Sequence, residues 1–181
     1  MFHFEHDCVA KWGVVGYFPA RSACGEIRCV LFTGSHDHTI DAKHRLAIPA
    51  EIRARWRNEV DGVAWYAVPW QHGLIRLYTE RDFERVATSR PLSLTPTEDE
   101  AELQASLFGL SRRLEIDAAG RIRLPEDMLR LVRIGSEVTL VGAGDRLEIR
   151  DRATWQESIE QRFKQMPGLV NRVRANGAVS T

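Results

Sequence analysis

The sequence predicts a mainly β chain with short helices, an α+β fold made of two copies of one unit. Three observations predict it. A ten-residue pattern occurs twice, as Ile40-Asp41-Ala42-Lys43-His44-Arg45-Leu46-Ala47-Ile48-Pro49 and as Ile116-Asp117-Ala118-Ala119-Gly120-Arg121-Ile122-Arg123-Leu124-Pro125. Each copy is followed by two short apolar runs separated by turn residues, the signature of strands rather than helices. Phe83 and Trp155 occupy matching places after the second run of each copy, so the duplication does not rest on the motif alone. A repeat of this size has to be located before single elements are assigned, because it dictates the architecture.

Each element follows in order. Residues 1–29 keep neither a period of 2 nor one of 3.6 for long, and they mix Trp12, Tyr17 and Phe18 with Gly and Pro. The first unit spans 35–82. Its motif reads as strand, tight polar turn and strand, stopped by Pro49. Proline pre-sets φ and gives up an N–H that the first helical turn leaves unpaired anyway. A helix over 50–57 then places Ile52 and Trp56 on one face and Arg53 and Arg57 on a solvated one. Val63–Val68 reads as a buried strand, Pro69-Trp70-Gln71-His72-Gly73 as a turn and Leu74–Tyr78 as the returning strand. A helix over 80–87 is expected to bury Phe83 and Val86.

Residues 83–110 read as a helical linker broken by Pro91 and Pro96. Thr97 followed by Glu100 is a capping box, opening a helix with Leu103 and Leu107 four apart that ends at Gly109. The second unit, 111–154, repeats the first more compactly. It has a helix over 125–132, a strand over 137–141, a turn at Gly142-Ala143-Gly144-Asp145 and a return over 146–150. That glycine pair lacks the third glycine and long helix of a nucleotide-binding loop, so a hairpin turn is the reading. Residues 155–181 read as a C-terminal helix, 153–164, with a fraying tail from Pro167.

Composition bounds function. Lys and Arg together number 25 and Asp and Glu 25. Residues 91–110 hold four of the acids and no Lys or Arg, which leaves a surplus of four positive charges elsewhere. Any basic surface must therefore be a local patch made by folding. Cys8, Cys24 and Cys29 form neither a C-x-x-C pair nor an even framework, and the repeat region has no cysteine, which suits a reducing compartment. No apolar run reaches membrane-spanning length, and the first residues lack the pattern of a signal peptide. His36 and His38 share one strand face, but no carboxylate–His pattern with metal-ligand spacing accompanies them, so exposed strand histidines are expected and no metal. No Ser or Cys nucleophile has a recognisable base, oxyanion motif or cofactor loop. Neither catalytic residues nor a cofactor or small-molecule substrate are expected.

The chemistry lies at the hairpin tips. Residues there are exposed and rigidly aimed, and in the second copy Gly120 supplies a position with φ > 0. An Asp four residues before an Arg allows two readings. One is an ion pair that merely shapes the turn. The other makes Asp41 and Asp117 the orienting partners of guanidinium forks, Arg45 and Arg121, that read phosphate or the O6/N7 edge of guanine. Two equivalent tips in one chain suit a partner with a repeating surface, such as duplex DNA.

These residues, with Phe32-Thr33-Gly34 before them, resemble the MraZ family, whose first half carries D-x-K-G-R before a proline and whose second carries D-x-x-G-R. The resemblance runs from about Phe32 to about Phe163. It implies two tandem AbrB-like swapped-hairpin units forming a pseudo-twofold barrel, and a cytoplasmic, nucleoid-associated DNA-binding regulator that assembles into rings. It further implies action at the promoter of the cell-division and cell-wall gene cluster through short G-rich direct repeats. On this resemblance Arg45 and Arg121 are the principal DNA contacts and Lys43 a phosphate contact. It also places the family's usual start near Phe32, so residues 1–30 are expected to be an extension or a misplaced start. One departure stands out: His44 occupies the family's glycine position, where φ > 0 would strain it. The alternatives are an AbrB-type antitoxin or general transition-state regulator, which usually contributes one such unit per chain, and a ring scaffold that binds no DNA.

Overall fold

The computed structural model describes residues 30–71, 73–89 and 95–177. The expectation for the first 29 residues lies outside these. Residues 27–157 group into one compact unit, and the chain from Ser158 belongs to a second.

In the first unit the described elements are β1 (Ser35–Thr39), β2 (Arg45–Ala47), α1 (Ala50–Arg55), α2 (Asn58–Asp61), β3 (Ala64–Trp70), β4 (Leu74–Thr79) and α3 (Glu80–Thr88). They continue as α4 (Glu98–Leu110), β5 (Arg112–Glu115), β6 (Arg121–Arg123), α5 (Glu126–Val132), β7 (Glu137–Gly142) and β8 (Leu147–Asp151). The first residues of α6 (Arg152–Gly177) complete it. Six strands form one antiparallel sheet in the order β1-β7-β8-β4-β3-β5, and β2 pairs with β6 in a separate two-stranded ribbon. The mixed α and β content matches expectation. Among the described residues no ladder joins β1 to β5, so the strand pairing by itself does not close the expected barrel.

The pairing carries the duplication. The first strand of each half pairs with the third strand of the other, β1 with β7 and β5 with β3. The two second strands, β2 and β6, pair with each other, and the two fourth strands, β4 and β8, meet at the sheet centre. A pseudo-twofold therefore passes between β4 and β8. Alternation decides which side is core: Trp65, Ala67, Ile75, Leu77, Val138, Leu140, Leu147 and Ile149 are all fully buried. Leu46 and Ile122, opposite each other in the ribbon, are also fully buried in the same cluster. Each such side chain contributes about 1.5–3 kcal/mol, which fixes the inner face of the ribbon and leaves its outer face to polar residues.

The opposite face of the sheet is polar at its centre. Glu148 is 5% exposed and sits among three guanidiniums. Arg150 donates to Oε2 from Nη2 at 2.6 Å and Nε at 3.0 Å, and Arg146 donates to Oε1 from Nε and Nη2, both at 3.2 Å. Arg76 Nε lies 3.8 Å from Oε1, with its guanidinium 3.9 Å from the Trp70 ring centroid. Burial alone would raise the Glu148 carboxyl, but hydrogen bonds and charge from Arg150 and Arg146 outweigh it and hold the group below its ordinary value.

Several elements differ from expectation. The helix after Pro49 breaks into α1 and α2, with Trp56 between them donating its indole N–H to Gly62 O at 2.8 Å. Strand β3 runs through Pro69 to Trp70, where a turn was expected. Phe83 stacks on Tyr66 at 4.2 Å between centroids, but Val86 is exposed. The Thr97–Glu100 capping box forms, yet α4 buries none of its residues and Leu103 is exposed. His36 and His38 are half-buried rather than exposed, because they face the core side opposite Leu140 and Val138.

From Ser158 the chain is helical to Gly177, passing through Pro167 without a break, so the expected tail is helix as far as that residue. Proline forfeits one helical N–H; the turns on either side, rich in Gln, Arg, Leu and Met, carry the helix past it. Ile159, Phe163, Met166, Leu169 and Val173 on this segment are exposed.

Candidate nucleic-acid interface at the matched hairpin tips

The two tips are the same structure built twice. At the first, Asp41 Oδ1 accepts from the backbone N–H of Lys43 at 2.8 Å and of Arg45 at 2.9 Å. At the second, Asp117 Oδ1 accepts from Ala119 at 2.9 Å and Arg121 at 3.0 Å. Backbone bonds close each loop, His44 N–H to Asp41 O and Gly120 N–H to Asp117 O, both at 2.8 Å. This is what an Asp opening a tight turn does: its short side chain satisfies the N–H groups that the turn strands. The residue before each Arg must then be left-handed, with φ +58° at His44 and +75° at Gly120. The expected strain at His44 is present.

The other oxygen of each Asp aims the guanidinium. Asp41 Oδ2 accepts from Arg45 Nε and Nη2, both at 2.7 Å, and Asp117 Oδ2 from Arg121 Nε at 2.9 Å and Nη2 at 2.8 Å. Hydrogen bonding to the Arg45 side chain, then to its backbone, brings the Asp41 carboxyl down to about 2, and the same partners on Arg121 lower Asp117. Both acids are therefore ionised at neutral pH. Each guanidinium spends two of its five N–H donors on Asp and keeps three that Asp does not use, a pair on Nη1 and one on Nη2. The arginine side chains are 32% and 34% exposed. Shaping the turn and holding a loaded fork are thus one arrangement.

The ribbon sets the two forks relative to each other. Register pairs Arg45 with Arg123, Leu46 with Ile122 and Ala47 with Arg121. With Leu46 and Ile122 turned into the core, Arg45, Arg121 and Arg123 all belong to the outer face. The tips lie at opposite ends of the ribbon, and its one outer face joins them. Lys43 sits exposed at the first tip, beside His44.

Two arginines are missing from the sequence-based site. Arg53, exposed as expected for a solvated face, also lies over the second tip. Its Nε donates to Ile48 O at 3.1 Å, and a Cβ built on Gly120 would come within 2.6 Å of its Cδ and Nε. Gly120 thus does two jobs, supplying the left-handed turn and making room for Arg53. Arg123 was readable from alternation, since it stands two residues after Arg121 and must share its face. Among the described residues, no group of three or more His, Cys, Asp or Glu side chains is placed to hold a metal ion. Among the same residues no helix is long and apolar enough to cross a membrane.

Comparison with known proteins meets this geometry. The family model described as "MraZ protein, putative antitoxin-like" matches residues 107–171. A protein of Mesoplasma florum named transcriptional regulator MraZ is 32% identical over 127 residues, covering 70% of this chain and 84% of that one. The chain belongs to the MraZ family. Proteins of the same name from Coxiella burnetii and a Marinomonas species are 30% and 31% identical. The alignments cover 72% and 75% of this chain and 86% and 89% of those relatives. The family model takes in the second copy of the motif, with Asp117, Gly120 and Arg121.

Proposed function

We propose that this MraZ-family chain is a sequence-specific DNA-binding transcriptional regulator without catalytic activity. It engages duplex DNA with Arg45 and Arg121, oriented by Asp41, Asp117 and the Gly120 turn, and with Lys43 on phosphate. The observation that carries this reading is the identity of the two tips, each an Asp-anchored guanidinium with unused donors on one exposed ribbon face. Relatives named as transcriptional regulators support it. A ring scaffold that binds no DNA would need neither the anchoring aspartates nor two matched forks.

The finer reading treats 35–82 and 111–154 as two AbrB-like swapped-hairpin units, 83–110 as their helical linker, and the crosswise pairing as the swap. Several chains in a homo-oligomeric ring would set many tips along short G-rich direct repeats. Their target would be the promoter of a cell-division and cell-wall gene cluster, in the cytoplasm at the nucleoid. One tip contacts few base pairs and binds weakly; linking tips raises their effective concentration and supplies affinity.

The test is a gel-shift of the full chain with the DNA just upstream of its own gene, competed with random duplex. Replacing Arg45 and Arg121 together by Ala should abolish the specific complex. Arg121→Ala alone should cost about 1–3 kcal/mol per guanine contact and relax preference at that base. A double variant that binds and discriminates like the parent would remove the proposal.

A further inference from the structure

The ribbon contains a juxtaposition that folding alone does not favour. Arg45 and Arg123 are directly opposite each other on its outer face. The ladder bonds show which kind of pair this is. Leu124 N–H donates to His44 O at 2.8 Å and Ile48 N–H to Gly120 O at 3.0 Å, so the hydrogen-bonded positions are 44 with 124 and 48 with 120. Positions alternate along an antiparallel ladder, which makes 45 with 123 a non-hydrogen-bonded pair, the type in which opposing side chains stand closest. Like charges there oppose each other. Arg45 has Asp41 as a counter-ion, whereas Arg123 is exposed and has no ion pair or side-chain hydrogen bond among the described residues.

The pseudo-twofold shows that the fold does not require this arginine. The position equivalent to Arg123 is Ala47, which faces Arg121. The first tip also has Lys43 and His44 where the second has Ala119 and Gly120. Arg130 and Arg133 line the groove beside the first tip together with Asp41 and His44. Lys43, His44 and Arg123 thus add cationic or donor groups around the first tip, while the second has Arg53 lying over Gly120.

We propose that Arg123 is a second phosphate-binding residue of the first tip, forming with Arg45 a cross-strand pair that closes on one backbone phosphate. The two tips are then unequal in their work: the first clamps the backbone, and the second, with Ala47 opposite its fork, depends on base reading. The anion supplies the counter-charge that the protein withholds from Arg123. This rests on the DNA-binding reading above and assigns a residue that reading does not use.

The experiment compares Arg123→Ala, Arg123→Lys and the Arg45/Arg121 double variant as full chains, by affinity for the upstream duplex and for random duplex across a salt series. Arg123→Ala should weaken both duplexes by the same factor and make the plot of log affinity against log salt shallower by about 0.9, the loss of one phosphate contact. Arg123→Lys should restore the slope. Because a like-charge contact is relieved, Arg123→Ala should melt no lower than the parent at low salt, which separates a lost contact from a damaged fold. Unchanged affinity and slope in Arg123→Ala, with the Arg45/Arg121 variant inactive, would overturn this inference and leave the proposed function standing. Weakening confined to the specific duplex would also overturn it, by making Arg123 a base reader. An Arg45/Arg121 variant that still binds would instead strike the parent reading.

Discussion

Gly120→Ala tests whether the second tip is held by local geometry and by Arg53 together. Two costs are separable. A non-glycine residue at φ +75° costs about 1–2 kcal/mol, offset by about 0.4–1 kcal/mol because alanine has less unfolded-state freedom to lose. The new methyl would also stand 2.6 Å from Arg53 Cδ and Nε. Arg53 is long enough to swing away, so the cost is its hydrogen bond to Ile48 O, about 0.5–1.5 kcal/mol. The sum is about 2 kcal/mol, or a fall of roughly 4–8 °C in Tm for a chain of this size. Arg53→Ala alone should lose about 1 kcal/mol. In the Arg53→Ala background, Gly120→Ala should then cost only its conformational part, about 1 kcal/mol. Thermal or urea unfolding of the four proteins closes the cycle. Equal penalties in both backgrounds would show that Arg53 does not rest on Gly120, and no penalty at all would remove the left-handed requirement too.

Two further outcomes follow from the same geometry. His44→Gly should leave Tm nearly unchanged, because relief of the left-handed strain and the added unfolded-state entropy are each about 1 kcal/mol and oppose each other; a fall of several degrees in a melting curve would mean that the His44 side chain has a stabilising contact. Glu148→Gln should cost about 2–4 kcal/mol at neutral pH, since it leaves three guanidiniums around an uncharged amide. Because the folded Glu148 carboxyl is held below its ordinary value, its stabilisation is present above the unfolded pKa, near 4.5, and is lost as pH falls through the folded one. The gap between parent and variant in urea midpoint should therefore close below that range; a gap independent of pH would assign the cost to packing.

The duplication and its turn chemistry were legible because they depend on neighbours in sequence. Asp41 and Asp117 bond backbone groups two and four residues on, and Thr97 and Glu100 cap their own helix. The left-handed His44 could be foreseen from a glycine in the other copy. What sequence did not reveal depends on the partner across the fold. Nothing near Arg53 announces that it lies on Gly120, 67 positions later, and nothing near Glu148 places Arg76 across the sheet centre. Pro69 reads as a turn until its strand is paired with Ile75 and continues through it. Arg123 is an intermediate case: alternation puts it on the face of Arg121, but only the register sets it against Arg45.

That register also explains how a neutral chain can present a cationic surface. Many of the acids are placed away from the ribbon, several of them paired with arginines elsewhere. Four sit in 91–110, and Glu148 is shared among three arginines on the far face of the sheet. At the two tips stand Asp41 and Asp117, each bonded to the Nε and Nη2 of its own arginine. An acid in that position orients the guanidinium and leaves Nη1 and one Nη2 hydrogen as donors it does not use. Three guanidiniums, with Lys43 at the first tip, therefore share one face in a chain of zero formal net charge, held by the burial of Leu46, Ile48, Ile122 and Leu124.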